Sequence, residues 1–180
     1  MTRLALWLLG ATLLGAIVHL AAVLLLPSMA SHDAYARVSA ISPVNRVAAL
    51  PAPTPEKAVM PFMDPAFSVS VCRYDLSHSP LKFSVPISPA YTSVSFYTRS
   101  DVPYYAINDR AAGRRVIELD LMTPAQRAEL PEDQDITRAD RLIVTSPTTT
   151  GLIVIRALAP EPTWVPAARS ALAAAQCRAQ

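Results

Sequence analysis

Glycine is nearly missing from this chain of 180 residues, which holds four. Gly10 and Gly15 fall in an apolar run, leaving Gly113 and Gly151 for everything else. A loop that cradles phosphate needs several glycines, for positive φ and for close backbone approach. Neither a Walker loop nor a dinucleotide fingerprint can be assembled here. Histidine is almost as scarce, at three. His32 and His78 stand far apart, and no cysteine lies at the short spacing that zinc sites use, so neither a metal nor a cofactor is expected. Lysine is reduced to Lys57 and Lys82, and no basic run exceeds Arg114-Arg115. With 16 basic against 14 acidic residues the net charge is +2, too balanced for a protein that tracks nucleic-acid phosphates. A G-x-S-x-G elbow is also lacking, which removes the α/β-hydrolase arrangement.

Long apolar sequence and proline are what the chain does have. From Leu4 to Leu26 there is no Asp, Glu, Lys or Arg. Those 23 residues make roughly 34 Å of helix, enough to cross a hydrocarbon core about 30 Å thick. Arg3 precedes the run and Pro27 is expected to end it. No comparable stretch follows, so a single span is expected. A cleaved signal is the competing reading, because Ser28-Met29-Ala30 is a small-x-small triplet placed for cleavage after Ala30. Cleaved signals carry apolar cores of about 7–15 residues, so the longer run favours a retained signal anchor. Positive-inside counting does not decide the orientation, with Arg3 on one side and Arg37 and Arg46 on the other. A very short amino-terminal tail usually stays inside, which exports the rest.

His19 lies near the middle of this span. An ionisable residue there raises the question of proton or metal chemistry, but the span offers no second ligand. Ala11, Gly15, His19 and Ala22 recur at helical spacing on one face. Small residues with one polar group read as a helix–helix contact. A tolerated passenger is the remaining alternative.

Beyond the span the chain divides into three parts. Residues 27–42 contain "SHDAYARVSAI", a short amphipathic helix with Ser31 as its cap, Asp33 in its first turn, and Tyr35, Val38 and Ile41 on one face. Residues 43–65 hold six prolines and no periodicity, which reads as a stiff connector, part of which can pack on the following domain. Residues 66–180 turn to period two. "FSVSVCRYD", "LKFSVPI" and "TSVSFYTR" alternate apolar and polar residues as half-buried strands do. "YYAIN", "RVIELDL", "RLIVTS" and "GLIVIRAL" add further strands. Pro86 marks an edge or a bulge. "TPAQRAEL" is a helix capped by Thr123 with Pro124 at its first position, and "PAARSALAAAQC" a helix from Pro166 nearly to the end. Seven or so strands joined by turns make a β-sandwich or a small barrel.

Two places could carry chemistry. Cys72 and His78 flank a turn and could form a nucleophile–base pair; the plainer reading makes Cys72 a strand residue and His78 a solvated turn residue. Cys72 could instead pair with Cys177, tying the last helix to the sheet, but the Cα proximity this needs is not legible in sequence. The densest aromatic and polar stretch is "YTRSDVPYYAINDR". It supplies Tyr97, Arg99, Tyr104, Tyr105, Asn108, Asp109 and Arg110 as a candidate ligand-binding patch. The alternative there is an ordinary strand–turn–strand whose tyrosines pack their rings and wet their hydroxyls.

The stretch "MDPAFSVSVCRYDLSHSPLKFSVPISPAYTSVSFYTRSDVPYYAIND", with the later "TSPTTTGLIVIRAL", resembles the bacterial domain-of-unknown-function family 1254. The matching features are Asp64 at the strand entry, Asp75-Leu76 with Pro80 at a turn, Val85-Pro86, Tyr91 and Tyr97, then Pro147, Gly151 and Arg156. The likeness covers roughly residues 60 to 158. It implies a mainly β, antiparallel sandwich, jelly-roll-like, and supplies no reaction. Larger relatives look like this domain fused to a second β-domain of family 1214, for which this chain has no room. With the single span and export read from the apolar run, the bacterial family makes the expected setting the inner membrane, single-pass, with the bulk of the chain periplasmic. Its companion would be a membrane-anchored chain of the 1214 type, meeting it along the stripe at Gly15 and His19. The expected function is a binding and assembly module; the alternatives are an enzyme or enzyme subunit acting on a small organic molecule, and a bare tether.

Overall fold

A computed structural model of the chain describes residues 2–29, 33–113, 115–130 and 142–180. Ser31 as a helix cap and Ala30 as a cleavage site lie outside the described residues, as do His32 and Arg114. The chain divides into two units, Met1–Ser31 and His32–Gln180.

The first unit is one helix, α1 (Thr2–Met29). Its described side chains are exposed on every face, and the stretch Thr2–Leu26 has a mean hydropathy of 2.3. A helix apolar all round belongs in an apolar medium, and this one is long and apolar enough to span a membrane. It continues to Met29 rather than ending at Pro27. Proline's fixed φ fits a helix, and near the helix end its missing N–H and the crowding of the preceding turn bend or weaken the helix without having to stop it. Thr12 donates its hydroxyl to the Leu8 carbonyl, 2.9 Å away, so its polar group is satisfied within the helix. Ala11, Gly15, His19 and Ala22 line one face of α1, and nothing approaches a Cβ built at Gly15.

The second unit is mainly β. Its elements run α2 (Ala34–Ser39), β1 (Val47–Ala49), β2 (Phe67–Asp75), β3 (Leu81–Pro86), β4 (Thr92–Thr98), β5 (Pro103–Asn108), α3 (Asp109–Ala112), β6 (Val116–Met122), α4 (Pro124–Ala128), β7 (Leu142–Thr145), β8 (Thr150–Leu158), a 3-10 turn (Pro162–Trp164), α5 (Val165–Ala173) and β9 (Gln176–Ala179). Five strands form one sheet in the order β1-β2-β8-β4-β5, and four form the other in the order β7-β6-β3-β9. The sheets make a sandwich, and neither closes into a barrel. The named strand pairs are antiparallel as expected, apart from β6 and β7, which run parallel. β7 joins the free edge of β6, whose other edge pairs with β3.

Both faces of the five-stranded sheet are covered, by different things. Its inner face presents Cys72, Tyr74, Val94, Phe96, Ile153 and Ile155 to Leu81, Phe83, Ile117, Leu119 and Leu121 of the other sheet. Phe83 meets Phe96 edge-on, with ring centroids 6.1 Å apart. Its outer face presents Val71, Leu152 and Val154, packed against Val38 of α2, Leu50, and Met60 and Met63 of the proline-rich segment. That segment therefore does more than connect. β1 within it pairs with β2, and Leu50 is buried. The alternation in "FSVSV" is real, but Val69 and Val71 face this satellite cluster while Cys72 and Tyr74 face the main core.

Two helix ends differ from expectation. Asp33 caps α2, its carboxylate accepting the Ala36 N–H at 2.7 Å. The last helix stops at Ala173, and Gln176–Ala179 then pairs with β3. Thr123 caps α4 as expected, in a reciprocal capping box with Gln126.

Candidate functional site

The aromatic and polar stretch from Tyr97 to Arg110 does not converge. Tyr97 lies on the outer face and packs against the α2 cluster. Tyr104 and Tyr105 both tilt against Phe96, at 6.2 and 5.8 Å between centroids. Tyr104 donates to the Tyr74 hydroxyl at 3.1 Å, within a buried network. Tyr74 also meets Ser146 Oγ at 3.0 Å and donates to the Tyr97 carbonyl at 3.2 Å. Burial first, then the neighbouring Tyr74, holds the Tyr104 phenol far above its ordinary value, so it stays neutral and serves as a donor. Gly151 sits beside this network; a Cβ there would fall on the Tyr97 carbonyl and the Tyr74 ring. Asn108 caps α3 by accepting the Ala111 N–H at 3.1 Å. Asp109 and Arg110 belong to that short helix, with Asp109 Oδ1 buried and without a partner. Tyr105 lines a small pocket of about 260 Å³ with Ile107, Glu118 and Leu142.

Arg99 has a different role. Its guanidinium pairs with Asp33 Oδ2 at 2.6 Å and lies 4.1 Å above the Tyr35 ring. Arg73 approaches the same ring, at 5.7 Å. Asp101 accepts the Ala34 N–H at 3.2 Å. These contacts fasten α2 to the sheet. Burial pushes the Asp33 carboxyl up, but the Ala36 N–H and Arg99 outweigh it and hold it below its usual value. Asp101 is shifted the other way, by burial first and by its neighbour Asp33, against the Ala34 N–H.

Cys72 and His78 do not form a pair. Cys72 is fully buried and bonded to Cys177, with Cα atoms 6.5 Å apart, so its sulfur is not available as a nucleophile in this state. The bond joins β2 of one sheet to β9 of the other, rather than tying the last helix to the sheet. His78 is exposed in the β2–β3 turn. Among the described residues no group of three His, Cys, Asp or Glu side chains is arranged to hold a metal.

What the sequence did not point to is a groove of about 870 Å³ beside this disulfide. It lies where the sandwich gapes between two edge strands, β1 and β9, with α5 across the gap. Leu50, Met63, Phe67, Val69 and Leu172 give it apolar walls. Arg46, Arg169 and Arg178 also line it, and no Asp or Glu does among the described residues. All three arginines are exposed. The one ion pair among the described residues is Arg99 with Asp33, so these guanidinium groups are free for a ligand. Ser70, also lining the groove, is 1% exposed, and its hydroxyl has no partner. Chemically this is an anion-friendly cleft with an apolar body. It holds no nucleophile–base pair among the described residues.

The fold has a solved counterpart. The VPA0106 protein of Vibrio parahaemolyticus superposes with a TM-score of 0.61 at 14% identity, over 82% of this chain and 34% of that one. An uncharacterised protein of Burkholderia cenocepacia gives 0.44 at 17% identity, over 66% of this chain and 33% of its own. This chain thus spans about a third of the length of each. No curated protein matches it. The family model described as "Protein of unknown function (DUF1254)" matches residues 44–179, from just before β1 to the last residue of β9. The chain therefore belongs to the DUF1254 family.

Proposed function

We propose that the chain is a single-pass protein of the bacterial inner membrane whose periplasmic β-sandwich is a binding and assembly module. The groove between β1, β9 and α5 carries this reading. It is large enough for a ligand, in the 300–1,000 Å³ range typical of ligand pockets, and its arginines pair with no acidic side chain among the described residues. The Cys72–Cys177 bond supports export, since such bonds persist in oxidising compartments. The 28-residue length of α1, beyond the apolar core of a cleaved signal, supports anchorage over cleavage.

The companion is a second membrane-anchored β-domain chain of the 1214 type, and the two anchors meet along Ala11, Gly15, His19 and Ala22. Small residues there let two backbones approach closely, and a neutral imidazole can donate a hydrogen bond across the contact. The test is Gly15→Leu in the native membrane, followed by cross-linking at the anchor. Bulk at position 15 is expected to abolish the cross-linked heterodimer and leave the β-domain folded. A heterodimer of normal yield in Gly15→Leu would contradict the anchor contact.

A further inference from the structure

We infer that the groove takes a small amphipathic carboxylate, its head held by Arg46, Arg169 and Arg178 and its apolar body lying along Leu50, Phe67 and Leu172. The inference deepens the binding-module reading and rests on it.

Charge complementarity selects the head. Three arginines without partners line one cleft, and no carboxylate answers them there among the described residues. Arg169 of α5 and Arg178 of β9 come from consecutive elements at the end of the chain, and Arg46 from the approach to β1, far away in sequence. Guanidinium presents a planar fork of N–H donors that matches a carboxylate bidentately. The remaining walls are chiefly apolar, and a bare inorganic anion would leave them wet. The occupant therefore carries hydrocarbon as well as charge. An apolar body alone would not use the arginines, and a cation would be repelled by them.

Ser70 adds an independent sign. A buried hydroxyl without a partner is costly, and this one borders the groove at β2. A hydroxyl rotates freely about its bond, and the proposal includes that a carboxylate seated against this wall draws it round as a donor. The disulfide fixes the geometry. Cys177 lines the groove between Gln176 and Arg178, and its bond to Cys72 holds β9 against β2. Arg178 and Ser70 both line the cleft that this bond holds together.

The test uses the full chain in nanodiscs of zwitterionic lipid, with empty nanodiscs as the blank. 1-Naphthoate is titrated by calorimetry, alongside neutral 1-naphthalenemethanol, cationic 1-naphthylmethylammonium and 1-naphthyl phosphate. Naphthoate is expected to bind at one saturable site, at least tenfold tighter than the neutral alcohol, with no saturable binding of the cation. The Arg169→Gln/Arg178→Gln pair, both exposed and so harmless to the core, is expected to weaken naphthoate tenfold or more. Ser70→Ala is expected to weaken it several-fold while the melting temperature holds or rises. Equal affinity for acid and alcohol, or an arginine pair that binds like the natural chain, would overturn the inference. A tenfold preference for naphthyl phosphate would overturn the carboxylate. Ser70→Ala with full affinity would overturn the hydroxyl's part. A heterodimer that no longer takes naphthoate would assign the groove to the companion chain instead. None of these failures touches the anchor cross-link, so the broader reading stands or falls separately.

Discussion

Removing the Cys72–Cys177 bond should cost the β-domain a large share of its stability. The two cysteines are 105 residues apart in sequence, so the bond closes most of the domain into one loop. The chain-entropy relation for a loop of that length gives about 4.8 kcal/mol at 25 °C. Single domains are stable by about 5–15 kcal/mol, so the loss ranges from a third to nearly all. Cys72→Ala/Cys177→Ala is the cleaner perturbation, because the bond is buried and a reductant reaches it only through opening. Urea unfolding of the full chain in mild detergent, followed by near-UV circular dichroism of the tyrosines, reads the change. The midpoint should fall sharply, and the slope m should rise because the unfolded chain expands further without its cross-link. Hydrogen exchange should quicken first in β9 and α5, which the bond pins to β2. A loss below about 1 kcal/mol with unchanged m would refute this reasoning and mean that β9 is held by its pairing to β3 alone.

Other expectations follow from single contacts. Gly151→Ala should destabilise by about 2–4 kcal/mol, because its Cβ collides with backbone and with a fully buried tyrosine; a melting temperature within 2 °C or so of the natural chain would count against it. Tyr74→Phe should cost about 1–3 kcal/mol, since it takes away the hydroxyl that accepts from Tyr104 inside the core, and denaturant unfolding measures it. Asp33→Ala should cost about 1 kcal/mol through the lost cap and the lost Arg99 pair. The Asp33 carboxyl sits below its unfolded value near 3.8, so its contribution is present above that pH and is lost as pH falls below it. Asp101 has the opposite sign. Its carboxyl is raised above 3.8, so stability declines as pH rises from there through the folded value. Asp101→Asn should therefore gain stability at neutral pH and lose the gain in acid. Asn tolerates the positive φ of 60° at this site and keeps an acceptor for the Ala34 N–H. Unfolding midpoints measured from pH 3 to 7 separate the two carboxylates.

Much of the sandwich could be read from alternation, and the exceptions have identifiable causes. β2, β3, β4 and β8 follow from period two and β-branched content. β9 did not, because "ALAAAQC" is a strong helix former, and only pairing with β3 and the Cys177 bond make Gln176–Ala179 extended. β1 was hidden among prolines whose missing N–H groups are tolerated at an edge. Two-sided burial of β2 blurred which face was core: an alternating strand looks the same whether its valines meet the other sheet or a covering helix. The "RSDV" turn was legible, but its Arg99 could not be matched with Asp33, 66 residues earlier. For the groove the difficulty is the same, since only the fold brings Arg46 to Arg169 and Arg178 near the other end of the chain.

The most direct test of a membrane-held binding module is the native mass of the chain released from its own membrane in mild detergent. A species heavier than the 19.4 kDa chain by one further polypeptide is expected. Gly15→Leu should shed that polypeptide, and Cys72→Ala/Cys177→Ala should retain it through the anchors. A bare 19.4 kDa chain, intact from Met1 and free of any partner or bound small molecule, would contradict the proposal.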